Sequence, residues 1–479
     1  MKKFILVILS LVLINIGRAQ QVWTLEKCID YALTNNIQVK QQLLLVKSGQ
    51  ATVLQDKLNM LPSLNGFAMH GYNWGKTVDR YTNQFATARV RTNNFYLSSS
   101  VSLFDGFQKI NRLRQSETDL EAVHYDTDKF MDDISLNIAT AYLQILFYRE
   151  LVITSENQLS ATDLQVARLT KLVNAGALAQ GDLFNIQAQR ATENVQAVDA
   201  RNNLDLAYLT LAQMLDLPTA EGFEIEIPDL ELGAQPSIAI LPEQVYEYAL
   251  ENQPMIKSSE LKLKSSEYGL SQARGAQIPS LNLQGSLGTG YSGAAMVLNG
   301  YDPIGTQREI GFVNNEGNIS KVYTMIYDPI YKNKAFSSQI SDNINKSISF
   351  NLSVPIFNGW STRTSISKAR LNVENAKYTL ESSKLQLRKT IQQAYADAKA
   401  ALNKYESSLS GVEAAKESFR YAEQKFDVGL LNSVEYNNSK TNYEKAESNV
   451  LQAKFEFIFK TTVLDFYMGK PISINRKKI

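Results

Sequence analysis

The chain has 479 residues in which 49 lysines and arginines meet 48 aspartates and glutamates, for a net charge of +1. That balance excludes a dedicated nucleic-acid binder, whose affinity comes from a surplus of cations that displaces counterions from phosphate. Two histidines and one cysteine exclude a disulfide framework, and with no metal-ligand cluster or phosphate-binding loop the sequence implies neither an enzyme nor a cofactor.

Residues 1–19 read as an export signal: Lys2-Lys3, an apolar run from Phe4 to Ile16, and small residues around Ala19, with a mature start near Gln20. The run is shorter than the roughly twenty residues that cross a bilayer core. No later segment is apolar enough for a spanning helix, so contact with a membrane would have to be made by strands, whose hydropathy signal is weak because lipid-facing and lumen-facing residues alternate. Cys28 lies in a helical pattern past the cut and reads as a small core residue.

The first half of the mature chain, residues 20–239, begins with an entering helix over about 25–60 that ends before Pro62. A β-hairpin over 64–104 follows, and Phe95, Leu97, Ser99, Val101 and Leu103 mark one face of its second strand. Asp105-Gly106 turns the chain into a helix predicted over 108–174, about 100 Å long at 1.5 Å per residue. Near its end Val152, Leu159, Val166 and Val173 recur every seventh residue, with Tyr148, Ser155, Thr162 and Leu169 between them, as in a left-handed coiled coil. Gly176 supplies the turn into a return helix over 178–215. A linker over 219–239 contains a strand-like alternation at Phe223–Pro228.

The second half, residues 240–479, writes the same order again. Tyr31-Ala32-Leu33 returns as Tyr248-Ala249-Leu250 and Pro62-Ser63-Leu64-Asn65 as Pro279-Ser280-Leu281-Asn282, a shift of 217. Leu103-Phe104-Asp105-Gly106-Phe107 then returns as Ile356-Phe357-Asn358-Gly359-Trp360, Gly176 as Gly429 and Pro218 as Pro471, a shift of 253. The difference is a 36-residue insertion, read as part of a water-exposed loop over about 290–347 inside the hairpin 281–357. The predicted helices are 242–277, 361–427 and 431–468, followed by a short tail. Strands thus number four per chain, too few to close a barrel, and an open edge in hydrocarbon leaves peptide groups unpaired. Other copies of the chain are expected to complete the wall. Phe104, Phe107, Phe357 and Trp360 suit an aromatic girdle.

The duplicated YAL and PSLN segments, the strand-to-helix turns at Gly106 and Gly359 and the tips at Gly176 and Gly429 together resemble the TolC family of outer-membrane efflux proteins over essentially all of the mature chain. That resemblance implies an α+β membrane protein: a homotrimer with four strands per chain in a shared 12-stranded barrel, set in outer-membrane lipid, and a long periplasmic coiled-coil barrel. It implies an exit duct joined through a periplasmic adaptor to an inner-membrane transporter of RND or ABC type. Adaptor docking falls to the tips, at Gly176, Leu178, Val428, Gly429 and Leu430, with Leu178, Leu430 and Leu431 expected to be exposed. The periplasmic gate falls to Asp182 and Glu435, six residues after the tip glycines, with Asn438 where a second acid often stands, and with Phe426 and Leu431 where a locking tyrosine and arginine are found in other members. Asp132-Asp133 reads as a solvated pair. The competing class is a soluble periplasmic coiled-coil adaptor or scaffold.

Overall fold

The computed structural model describes residues 22–83, 85–86, 89–228, 238 and 240–472, so the export signal and most of the linker beyond residue 228 lie outside the described residues. The chain divides into two compact units. One holds residues 52–115 and 267–371; the other holds residues up to 51, 116–266 and from 372 onward.

In the first unit β1 (Ser63–Asn73), β4 (Val90–Phe104), β5 (Ser280–Ser292) and β8 (Asn345–Ser353) form one antiparallel sheet in that order, with two-residue strands β2 (Thr77–Val78) and β3 (Phe85–Ala86) paired in the loop between β1 and β4. The four expected strands are therefore present. Their hairpin registers repeat with the sequence: Ser63 faces Ser100 in the first copy, and Ser280 faces Ser353, the same pair after both shifts, in the second. Opposed residues share a face. Leu97, Leu287, Leu283, Phe350, Leu281 and Leu352 thus fall on one side, while the other carries Ser98, Ser286 and Ser347 in one row and Ser100, Gln284 and Ser349 in the next. Within each polar row neighbouring strands bond to each other, Ser286 Oγ lying 2.7 Å from Ser347 Oγ and Ser63 Oγ 3.0 Å from Ser100 Oγ.

The insertion corrects the loop expectation. Residues 296–333 form a second antiparallel pair, β6 (Met296–Asn315) and β7 (Asn318–Asn333), turned at Glu316-Gly317 where both residues have positive φ. Tyr, Ile and Val supply the strand preference that the Gly and Asn content masks. Between this hairpin and β8 lies a short helix, α7 (Phe336–Asp342), whose buried Gln339 donates to the carbonyls of Ser292 and Lys334 and accepts from the Ser292 amide.

Gly106 and Phe107 have φ +68° and +65°, and Gly359 and Trp360 +61° and +68°, so the strand-to-helix turn is built twice from the same two left-handed residues. Asp105 Oδ2 accepts from the Lys109 amide, which caps the helix that follows. At Gly106 the need for glycine is also steric: an added Cβ would sit 2.3 Å from the carbonyl oxygen of Gly275. Phe107, Phe357 and Trp360 are well exposed in the single chain, so ordinary core packing does not account for them.

The entering helices are each broken, against expectation. The first is α1 (Leu25–Asn35) and α2 (Ile37–Leu58), the second α5 (Pro242–Asn252) and α6 (Pro254–Gly275). The breaks at Asn36 and Gln253, equivalent positions with extended ψ of 131° and 129°, have different local causes. Asn36 Oδ1 accepts from the Gln38 and Val39 amides and so caps a new helix; Gln253 precedes a proline that excludes it from helix.

The long helices α3 (Gln108–Asn174) and α8 (Ser361–Asp427) have the predicted limits, and the return helices are α4 (Gln180–Met214) and α9 (Ser433–Tyr467). In the helical unit α3 is buried on nearly every side between Ile138 and Leu146, packed with Leu25, Cys28, Ala32, Leu211, Phe223, Ile225, Phe455 and Ile458. Each such fully buried aliphatic side chain contributes about 1.5–3 kcal/mol. Burial pushes the Cys28 thiol up to about 12, as fits an inert core residue. The expected strand at 223–228 is reduced to one parallel bridge, Trp23 with Ile225, pinned by Tyr142 Oη donating to the Glu226 carbonyl at 2.7 Å.

Gly106→Ala combines a backbone conformation hostile to L side chains with a backbone clash, and is expected to cost more than about 1 kcal/mol. Heat-modifiable migration on gels should show less folded protein for Gly106→Ala than for Gly300→Ala, where an added Cβ meets nothing within 4 Å. Equal folding of the two variants would show that the turn tolerates relaxation.

Candidate functional site

Each helical tip closes in the same way. The Gly176 amide donates to the Val173 carbonyl and the Ala177 amide to Leu172, while Gly429 donates to Phe426 and Leu430 to Lys425. This is the Schellman arrangement, and it requires the positive φ of +73° and +77° that the two glycines adopt. Beyond the turns the copies differ. Asn432 Oδ1 accepts from the Glu435 amide and caps α9, whereas Ala179 offers α4 no side-chain cap.

The two tips pack as one four-helix end. Leu169, Leu183, Ile186 and Tyr436 are its buried centre, with Val166, Val173, Leu178, Phe419, Phe426 and Leu431 against them. Phe426 stacks on Tyr436 with centroids 4.6 Å apart. This corrects one expectation: Leu178 and Leu431 are half-buried in the tip core, and the exposed apolar groups are Leu430, at 77%, and Val428. A cleft of about 450 Å³ gathers Leu178, Asp182, Phe426, Gly429, Leu430, Leu431 and Glu435, bringing together residues singled out on both tips. Gly176, Val428 and Asn438 lie outside it. Asp182 accepts from Ser433 Oγ at 2.6 Å, so this acid ties the two hairpins to each other, while Glu435 is exposed in the first turn of α9. Arg168, unremarked in the sequence, reaches Asp427 across the tips at 2.6 Å. Both partners are nearly half exposed, so the pair contributes about 0–1 kcal/mol.

Further from the tips a buried ionic cluster joins the hairpins. Lys440 of α9 pairs with Glu193 of α4 at 2.9 Å and donates to Thr162 Oγ1 of α3, and Thr162 Oγ1 in turn donates to the other Glu193 oxygen. Glu193 and Thr162 are buried to 1% and 0%. Glu444 stands one turn along α9 with Oε1 3.3 Å from Lys440 Nζ, within ion-pair range but without a hydrogen bond. Burial pushes the Glu444 carboxyl up to about 7; Lys440 opposes that and the Glu193 and Glu447 charges add to it. Thr162 belongs to the heptad stripe, but Glu193 and Lys440 are not repeat equivalents, so periodicity gave no sign of them. Asp132, read as solvated, is half-buried, and burial with Asp128 and Asp133 nearby raises its carboxyl to about 6.

A duplicated chain with a sheet apolar on one face and two long helical hairpins defines a class of outer-membrane channel protein. The sequence profile described as "Outer membrane efflux protein" matches residues 28–216 and 245–469, and the chain belongs to that family. It is similar to the outer membrane protein TolC of Escherichia coli K12, 22% identical over 469 residues that cover 96% of this chain and 84% of TolC. The outer membrane efflux protein BepC of Brucella suis is 19% identical, covering 92% and 84%. Among solved structures, CusC superposes with a TM-score of 0.74 at 15% identity, covering 93% and 92%, and the outer membrane protein VceC of Vibrio cholerae with 0.73 at 14%, covering 94% and 96%. The chain is accordingly an outer-membrane protein of the efflux class, with its helical part in the periplasm.

Two outcomes follow for the buried cluster. Lys440→Met strands Glu193 without its partner and should cost about 3–5 kcal/mol, and adding Glu193→Gln should restore much of that; thermal melts followed by helical circular dichroism decide, and an unaltered melt for Lys440→Met contradicts the pairing. Glu444 holds its proton in the folded state at pH values where the unfolded chain, near 4.5, has lost it. Its contribution to stability therefore falls as pH rises from about 4.5 through about 7. Glu444→Gln should match wild type at pH 4, below the unfolded-chain value, and melt higher at pH 8.

Proposed function

We propose that this protein is the exit duct of a tripartite efflux or secretion system, a passive channel in which three copies contribute twelve strands to one barrel and six helical hairpins to a periplasmic tunnel. The observation that carries this reading is the sheet, which gathers Leu97, Val101, Leu281, Leu283, Leu287, Ile348, Phe350 and Leu352 on one face and rows of Ser, Asn and Gln, interrupted by Phe67, Met69 and Tyr96, on the other, with both edge strands open. An apolar outer wall and a wettable lumen are what a transmembrane barrel needs. A soluble adaptor or scaffold, which also carries helical hairpins, has no use for such a face.

In this reading the tips receive a periplasmic adaptor, which links the duct to an inner-membrane transporter of RND or ABC type. Leu430 and Val428 place exposed apolar groups beside a glycine turn, and such a cluster at a tip suits a contact surface. Glu435 lines the closed periplasmic entrance, where threefold symmetry brings its copies together and gives a cation preference. Asp182, held by Ser433, Asn438, and Phe426 and Leu431 in the tip core support that ring.

Replacing Gly429 by valine should abolish export while leaving the protein assembled in the outer membrane, measured by drug-efflux complementation beside fractionation. In planar bilayers Glu435→Gln should shift the reversal potential toward anions. Unchanged reversal potentials would mean that Glu435 is a surface residue and that another ring sets the field.

A further inference from the structure

The apolar face of the sheet ends in a groove that its own side chains leave unfilled. Opposed residues share a face, so Gly66, Leu97, Leu287 and Lys346 form one row across β1, β4, β5 and β8, and Ala68, Phe95 and Thr289 form the next row toward the hairpin loops. Over this face lies α7: Thr289 Oγ1 donates to the Ile340 carbonyl at 2.6 Å, Asn343 Nδ2 to the Gly290 carbonyl at 2.7 Å, and Phe336 meets the Tyr291 ring with centroids 5.4 Å apart. Between the sheet and Ile340 and Ile344 runs a groove of about 500 Å³, a size typical of small-ligand sites. Gly66 and Ala68 give it depth, and Leu97, Leu287 and Ile344 beside it are each about half exposed.

Its level on the strands decides what can enter. On β5 this face reads Leu281, Leu283, Gly285 and Leu287 and turns polar at Thr289; one row further His70 Nδ1 lies 2.8 Å from Asn93 Oδ1. Around that polar boundary stand Tyr72, Trp74, Tyr291 and Phe336, the counterpart at the loop end of Phe104, Phe107, Phe357 and Trp360 at the helix end. An apolar wall bounded by aromatics at both ends places the groove at the headgroup boundary of the outer leaflet. Cations gather there. Arg91 lies over the Tyr291 ring, 4.8 Å from its centroid, and Arg89 over Tyr72 at 5.0 Å. Lys346 stands on the apolar face itself, opposite Leu287, where an ammonium is tolerated by reaching toward the interface. None of the three forms an ion pair among the described residues, and the one carboxylate of α7, Asp342, is already paired with Lys334.

We propose that the groove holds an acyl chain of a phosphorylated outer-leaflet lipid, whose phosphate meets Arg91 and Arg89. This rests on the channel reading above and adds to it the class of lipid and the place it occupies. Membrane hydrocarbon is as apolar as leucine, so a chain gains only packing by entering. Selection among lipids therefore falls to the headgroup, where an arginine fork matches two phosphate oxygens and the charge of Lys346 adds to the field. Both halves of the site are needed: inorganic phosphate would leave the groove idle, and a zwitterionic lipid would bring its own cation to an already positive rim.

Lipid retention by the full-length protein in detergent tests this, with bisphosphorylated lipid A and phosphatidylethanolamine as the probes and native mass spectrometry as the readout. Wild type should keep lipid A in preference to phosphatidylethanolamine, and an excess of inorganic phosphate should not displace it. Arg89→Gln with Arg91→Gln should weaken retention about tenfold or more, as should Ala68→Phe, which fills the groove and spares the arginines. Arg91→Lys keeps the charge and should keep most of the binding. Lipid A held as well as by wild type in either of the first two variants overturns the proposal, and so does displacement by phosphate alone, which would leave the groove without a role. Heat-modifiable migration on gels checks that each variant is folded; should one fail, equal retention of the two lipids by wild type still overturns the site. Wild type that conducts in planar bilayers but shows no preference for lipid A loses the lipid site and keeps the duct, while absence of conductance with lipid A present or absent removes the channel reading itself.

Discussion

Every feature of this protein answers to one constraint: a peptide group in hydrocarbon must find a hydrogen-bond partner. A helix meets it within one segment, but no helix among the described residues is long and apolar enough to cross a membrane. The alternative is a sheet, and this chain contributes four long strands to it, the outermost two paired on one side only. The repeat supplies the means of completion, since whatever joins copy one to copy two inside a chain can also join one chain to the next. The left-handed turns at Gly106-Phe107 and Gly359-Trp360 then redirect each exit strand into a 67-residue helix.

In the helical unit the problem is the reverse. Long helices satisfy their own backbones, and what must be specified is how two hairpins meet. Small and polar seam residues do this. Ser155 and Thr162 are buried more deeply than the valines and leucines that alternate with them, because their size admits the neighbouring helix. The Lys440, Glu193 and Thr162 cluster joins α3, α4 and α9 at one level. Such a cluster is a weak source of net stability and a strong penalty on wrong alignments. At the tip, Phe426 stacks on Tyr436 within the second hairpin, and the Asp182 to Ser433 bond ties the two hairpins to each other.

The long helices and the four-stranded sheet were legible because glycine, proline and alternation punctuate them. Gly176 and Gly429 stop the helices where left-handed backbone is required, and the faultless alternation of 348–352 marks a strand with one apolar face. What escaped notice had weaker local signals. Asn36 breaks a helix by capping its own downstream amides, which an asparagine does only in some contexts. The insertion hid a hairpin because its strands carry glycines and prolines at three register shifts. The exposure of Leu430 against the burial of Leu431 depends on which side of a turn faces the partner hairpin. The ionic cluster draws on α3, α4 and α9 at once, and no periodicity within one helix reports on the facing of three.

The measurement closest to the centre of this account is the mass of the assembled protein, by native mass spectrometry after gentle release from detergent. Edge strands closed by neighbouring copies predict one dominant species containing three chains, with no stable monomer until the sheet unfolds. A dominant monomer that retained its strand content would contradict it, because the two open edges would then be tolerated without a partner.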